Sequence, residues 1–174
     1  MEVPGVGNVE RQEEFGWLCS QPLPMGALGG HRCRILLEGY EEDARKEDFH
    51  GAIANLRSSE RDLLQEAARY VFRYYEDMNR DWDRGDPEYV EASPHSIWEH
   101  VQLGSELYIS RRPSGDHAVY VSLECNCDWE PEHGLQLVFR EGRTVIKVGP
   151  YDGHLTNADA YADPGLEGTV YKGR

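Results

Sequence analysis

The sequence predicts an α+β fold in which an antiparallel β-meander packs against two or three helices. Two patterns carry this prediction. From Glu106 to Val148 apolar residues alternate with polar ones, as they do in strands with one buried face. Upstream, residues 49–56 and 63–78 place apolar side chains at helical spacing. Because neither layer can bury its apolar face alone, the sheet and the helices should pack together.

The N-terminal region is expected to begin with a disordered arm and to continue into the first two strands. Residues 1–12 contain two glycines, a proline and few bulky side chains. The remainder, residues 13–174, is long enough for a single α+β domain. The first strands are predicted at Phe15–Cys19 and Arg32–Glu38, joined by a segment rich in glycine and proline.

Two amphipathic helices should follow these strands. The first covers residues 49–56, and the second opens where Ser59 and Asp62 resemble a capping box. The second helix should end near residues 79–84, before a Gly-Asp-Pro sequence that cannot continue it.

A short third helix and the meander are predicted next. Ser93 suits an N-cap position, so a helix is expected over Pro94–Leu103, with Gly104 just past its end. The meander should contain three or four strands, with the candidates at residues 106–111, 119–127, 135–139 and 144–148.

The charge of the chain restricts the classes of partner. The net charge is −14 and the pI is about 4.8. An acidic surface repels nucleic-acid phosphates and anionic lipids, so we expect neither as a partner. It suits a basic protein partner or a cation, although acidity also serves simply to keep a protein soluble. Without a signal-peptide pattern or an apolar run of about 18–20 residues, a cytoplasmic location is expected, where thiols rather than disulfides prevail.

The predicted binding site lies in two polar loops that follow strands of the meander. These loops, residues 124–134 and 151–159, hold most of the side chains that are able to bind a ligand or a metal ion. In a meander both loops can lie at the same end of the sheet. The candidate binding residues are Glu124, Asp128, Trp129, Glu130, Glu132, His133, Asp152, His154, Asn157 and Asp159.

Thiols and imidazoles in the same region raise the alternative of a zinc site. By strand parity Cys125 and Cys127 share one face, and with His133 and His154 they would form a Cys₂His₂ ligand set. The Cys-x-Cys spacing differs from the usual Cys-x₂₋₄-Cys knuckle, and two small core residues would produce the same pattern.

Two further interpretations of the loops stay open. The first is a hard cation bound by the carboxylates of Asp128, Glu130, Glu132, Asp152 and Asp159. The second is structural, with Trp129 plugging the end of the sheet. A histidine beside a carboxylate could act as a general base. However, the sequence has no nucleophile motif and no phosphate-binding loop, so an enzyme is the minor expectation.

The sequence of the two loops resembles that of a bacterial family catalogued as a domain of unknown function. The similarity lies in residues 124–135 and 148–159, and it extends upstream to residues 37–40, 48–55 and 74–75. It would cover residues 15–161. The resemblance implies a bacterial cytosolic protein with one domain, and it supplies no activity.

From the residues and the resemblance together we expect a non-catalytic bacterial binding protein. Its size and charge are typical of an immunity or accessory protein that acts on a basic protein partner. The alternative is a zinc-binding protein that uses the set of Cys125, Cys127, His133 and His154. A hydrolase is one version of this alternative.

Overall fold

A single large sheet organises the structure. The computed structural model describes residues 1–173. Within them the strand order is β1-β2-β3-β5-β6-β7-β8-β9, and β4 pairs with β5. The strands are β1 Glu2–Val3, β2 Gly7–Arg11, β3 Leu18–Ser20, β4 Leu23–Met25, β5 His31–Leu37, β6 Val101–Arg111, β7 Val119–Cys127, β8 Leu135–Arg140 and β9 Thr144–Gly149.

Within residues 1–173, three α-helices accompany the sheet. Helices α1 (Lys46–Arg57) and α2 (Leu63–Asn79) connect β5 to β6, which pair in parallel, while the other strand pairs are antiparallel. Helix α3 (Asn157–Tyr161) follows β9. The structure therefore agrees with the α+β class, and β6–β9 form an antiparallel meander within a larger sheet. In residues 1–173 no helix is long and apolar enough to cross a membrane.

Helices α1 and α2 form where the sequence places apolar stripes. Helix α1 buries Phe49, Ala52, Ile53 and Leu56, which lie on one side at intervals of three or four residues. Helix α2 begins after Asp62, whose side chain accepts a hydrogen bond from the Gln65 amide at 3.0 Å. The two stripes pack on one face of the sheet, the inner face, in a continuous hydrophobic core.

The opposite face of the sheet, the outer face, is also partly covered. Tyr120 and Val138 point to this face, and both are buried. The cover is the C-terminal segment, residues 150–169, which includes α3. Beyond it, Val170 and Tyr171 pack against the inner-face core. The Val148 amide donates to the Val170 carbonyl at 2.8 Å, so the chain returns to the edge strand β9. The protein thus has three layers rather than two.

The predicted N-terminal arm is instead part of the sheet. Strand β2 pairs with both β1 and β3, and Val3 and Val9 are buried. Regularly spaced valines supply the apolar contacts, while Gly5 and Gly7 adopt positive φ angles of 78° and 85° in the turn. A glycine-rich composition therefore marked a tight hairpin here, not disorder.

The third predicted helix is also shorter than expected. Only Ile97–His100 form a 3₁₀ turn, and strand β6 begins at Val101. Gly104 is not a helix cap but lies within β6, beside a shift in strand register. A Cβ atom on Gly104 would lie 2.0 Å from the Glu124 carbonyl oxygen, so close strand approach explains this glycine.

Candidate functional site

The two predicted loops meet at one end of the sheet through their backbones. The Tyr151 amide donates to the His133 carbonyl at 3.1 Å. Their side chains, however, point to different surroundings. Some belong to the hydrophobic core, some stabilise their own loop, and a third group lines a cavity on the outer face.

The zinc ligand set is not assembled. Cys125 and Cys127 point into the inner-face core and are 2% and 3% exposed. The His133 and His154 side chains, by contrast, are 56% and 49% exposed. Strand parity does place the two thiols on one face, but that face is the core, and the imidazoles lie outside it. Burial raises the pKa of each thiol to about 12, which opposes the thiolate form that binds metal.

A test of this placement is the reactivity of the thiols. We expect Cys125 and Cys127 to remain unmodified by dithiobis-nitrobenzoate at pH 8 in the folded protein, and to react at once in denaturant. The measurement is the time course of thiol release for wild type and for the paired Cys125→Ser, Cys127→Ser variant. Rapid release from these two positions without unfolding would contradict the buried geometry.

The loop carboxylates mostly stabilise their own loops. Among residues 1–173 the group of possible metal ligands that converges consists of Glu130, Glu132 and His133. Within it, Glu130 Oε1 accepts hydrogen bonds from the backbone amides of Glu132 and His133, each at 3.2 Å. Asp128 accepts a hydrogen bond from His100 Nδ1 at 3.0 Å. Glu130 therefore caps its own loop, while Asp128 links the loop to the segment that leads into β6.

Trp129 and Asn157 have structural contacts. The Trp129 side chain is buried and meets Tyr74 and Tyr75 edge to face, at centroid distances of 6.0 and 5.8 Å. It plugs the end of the sheet, as the structural interpretation predicts. Asn157 is also buried, and its Nδ2 donates to the Thr169 carbonyl at 2.8 Å.

A cavity lies on the outer face, between the end of β6 and the C-terminal segment. It has a volume of about 860 Å³ and is open to solvent. Its charged lining includes Glu38, Arg112, Asp159 and Glu167, and His154 lies on its wall. We call it the Arg112 pocket. Two of the predicted binding residues, His154 and Asp159, therefore belong to it.

Arg112 is the centre of this pocket. Its side chain is only 3% exposed, and it forms paired hydrogen bonds with two carboxylates. Nε and Nη2 donate to Asp159 at 2.8 Å, while Nη1 and Nη2 donate to Glu167 at 2.7 and 3.0 Å. These bonds hold the pKa of Asp159 below its usual range, against the opposing effect of burial.

Hydrogen bonds from the sheet and from the loop hold the backbone of His154 in place. The His154 carbonyl accepts hydrogen bonds from Lys147 Nζ at 3.1 Å and from Gln136 Nε2 at 3.2 Å. Its amide donates to Asp152 Oδ1 at 2.8 Å. Lys147 is itself buried and ion-paired with Asp152, and burial lowers its pKa. The half-exposed imidazole of His154 therefore projects from a fixed backbone.

The pocket has an excess of negative charge. Arg112 supplies one positive charge, and the two carboxylates that it binds supply two negative charges. Glu38 adds a third carboxylate at an exposed position. Arg111 also lines the pocket, but it does not offset this excess, because its guanidinium pairs with Asp43 and Asp48. Such a pocket favours a cationic group.

Sequence reasoning missed the residues that define this pocket, above all Arg112, Glu38 and Glu167. Arg112 directly follows the strand predicted at residues 106–111, and no role was predicted for it. One signal was available: Tyr120 and Val138 occupy positions assigned to a solvated face. Large apolar residues at such positions indicate a covered face. The position of the covering segment could not be derived from this signal.

These features define an α+β protein with a nine-stranded, mostly antiparallel sheet and an acidic pocket on its outer face. The chain belongs to the family described as Domain of unknown function (DUF6985), whose family model matches residues 5–155. Arg112, Lys147 and His154 lie inside the matched range, while Asp159 and Glu167 follow it. Neither the curated proteins nor the solved structures contain a match to the chain.

Proposed function

We propose that this is a non-catalytic binding protein whose Arg112 pocket receives a basic group of a protein partner. The observation that carries the proposal is the pocket in which Asp159 and Glu167 share one buried guanidinium, with Glu38 beside them. The net charge of −14 supports it, because an acidic chain attracts a basic partner at long range.

The shape of the pocket is compatible with this role. A volume of about 860 Å³ exceeds that of one arginine or lysine side chain and leaves room for neighbouring residues. Arg112 fixes the positions of Asp159 and Glu167 before a ligand arrives, so little ordering is required on binding. The exposed Glu38 and the imidazole of His154 remain to contact the incoming group.

The cellular role that fits this chemistry is that of an immunity or accessory protein in the bacterial cytoplasm. Such a protein neutralises or assists a basic partner by covering part of its surface. The acidic charge and the absence of a nucleophile motif in the sequence support this part of the proposal.

Reversal of charge at the pocket tests the proposal. We expect Glu38→Lys to weaken binding of a fluorescein-labelled peptide, in which arginine alternates with glycine, by about tenfold. The reason is that the new ammonium group repels the guanidinium of the ligand. Fluorescence anisotropy at low ionic strength gives the dissociation constant.

The matched control is Glu88→Lys, at an exposed position outside the pocket, because it changes the net charge equally. It should weaken binding by less than about twofold. The same peptide with citrulline in place of arginine should not bind measurably. Equal weakening by the two variants would mean that only overall charge attracts the peptide, and the pocket would not be its site.

A further inference from the structure

Four aromatic residues, two of them exposed and two half-buried, lie on the outer face on and beside strand β6. The Phe15 and Trp17 rings are stacked at 5.1 Å, and Trp17 meets Tyr108 edge to face at 5.8 Å. Phe15 is 57% exposed and Tyr151 is 38% exposed. We call Phe15, Trp17, Tyr108 and Tyr151 the aromatic strip. Large apolar side chains at this exposure are typical of an interaction surface.

Carboxylates accompany these rings. The Tyr108 hydroxyl donates to Glu106 Oε2 at 3.0 Å. Burial raises the pKa of Tyr108 to about 12, and the nearby Glu106, Tyr151 and Glu124 contribute to this increase. Glu106, Tyr108 and Glu124 also line a second cavity of about 260 Å³. Glu106 already faces Arg34, at 3.6 Å from Nη1, so the exposed Glu124 is the carboxylate that can act with the aromatic faces on one cation.

Strand β6 connects the strip to the Arg112 pocket. Its outward positions are Glu106, Tyr108 and Ser110, and Arg112 follows directly after the strand. Alternate residues of a strand are separated by about 6.6–6.8 Å, so Tyr108 and Arg112 lie roughly 13 Å apart along it. Ser110 and Arg112 line the pocket itself. An extended peptide of about four residues would span both features.

We propose that the aromatic strip and the Arg112 pocket form one docking track for an extended, arginine-rich segment of the basic partner. This inference rests on the proposed function and adds the shape and composition of the bound segment. Guanidinium groups fit the track better than ammonium groups, since they stack on aromatic rings and also form paired hydrogen bonds with carboxylates. The excess of negative charge disfavours nucleic acid or an anionic membrane as the occupant.

The test uses one variant of the strip and one of the carboxylate beside it, together called the strip variants, and both leave the pocket unchanged. Phe15→Ala and Glu124→Gln should each weaken binding of the alternating arginine–glycine peptide by about threefold to fivefold. Trp82→Ala is the matched control, because Trp82 is an aromatic residue that is 43% exposed outside the strip. It should leave binding unchanged. Replacing arginine by lysine in the peptide should weaken binding to wild type and should matter less for Phe15→Ala.

The outcomes separate the two proposals. If Glu38→Lys weakens binding while the strip variants behave like Trp82→Ala, the docking track is wrong and the pocket alone is the site. If none of these variants weakens binding, both proposals are overturned. If Phe15→Ala instead converts a dimer to a monomer in sedimentation experiments with no change in peptide affinity, the strip is a contact between copies. That result also overturns the track. Melting curves that match wild type show that each variant is folded.

Discussion

Replacing Trp129 with alanine should lower the free energy of unfolding by about 3–5 kcal/mol, the range for truncating a large buried aromatic residue. The indole packs edge to face on Tyr74 and Tyr75, which both belong to α2. Its loss leaves a cavity between this helix and the β7–β8 loop. Urea denaturation followed by circular dichroism gives the change.

A second substitution separates the loss of the aromatic ring from the loss of the indole N–H group. The Trp129 Nε1 group is buried and has no hydrogen-bond partner among residues 1–173. Trp129→Phe removes this donor and keeps most of the ring, so it should cost only about 1–2 kcal/mol. Trp82→Ala, at an exposed position, should change stability by less than about 0.5 kcal/mol. A loss at Trp129→Ala no larger than this control would contradict the structural role of the loop.

Replacing Arg112 with glutamine should lower the free energy of unfolding by about 3 kcal/mol. The substitution leaves Asp159 and Glu167 facing each other without the guanidinium that both bind. Because Glu167 is 53% exposed, water can solvate part of the remaining charge, so the lower end of the range for buried pairs applies.

The same change should loosen the C-terminal segment. Amide hydrogen exchange of residues 156–169 should become faster in Arg112→Gln, while exchange in β7 and β8 reports the global stability. The control is Arg84→Gln, which breaks the exposed Arg84–Glu91 pair and should leave both the stability and the exchange rates essentially unchanged. Unchanged exchange in the C-terminal segment would contradict its attachment through Arg112.

The effect of Arg112 on stability should depend on pH. The guanidinium lowers the pKa of Asp159 in the folded protein. This pair therefore stabilises the fold above the ordinary carboxyl pKa of about 4, and the contribution is lost as the pH falls through the folded value. We expect the difference between wild type and Arg112→Gln to be largest near neutral pH and to shrink in acid. A constant difference from pH 7 to pH 3 would exclude this ion pair as its cause.

Sequence periodicity predicted the main elements of the inner face. The errors in the prediction arose where one sequence pattern is compatible with two structures. Alternation correctly located β7 and β8, and helical spacing located α1 and α2. Glycines suggested a disordered arm in residues 1–12, although the same residues suit the turn of a hairpin. Ser93 and Gly104 matched helix caps, but Ser93 begins a turn ahead of the 3₁₀ segment and Gly104 lies at a close strand approach.

The candidate site was predictable only in part, for a physical reason. His154 and Asp159 stood out because they lie in a loop dense in polar residues, and they do line the Arg112 pocket. Arg112 and Glu38 follow strands that are distant in sequence, and parallel pairing of β5 with β6 brings them together. Local sequence patterns do not specify such long-range pairing.

The most direct test of the central claim is a titration of isotope-labelled protein with argininamide, followed by amide chemical shifts. We expect saturable shifts concentrated at residues 110–115 and 153–159, with Glu38→Lys reducing the affinity and Glu88→Lys changing it by less than about twofold. Shifts scattered over acidic residues throughout the surface, or shifts that persist unchanged in Glu38→Lys, would show that the Arg112 pocket does not bind a basic group.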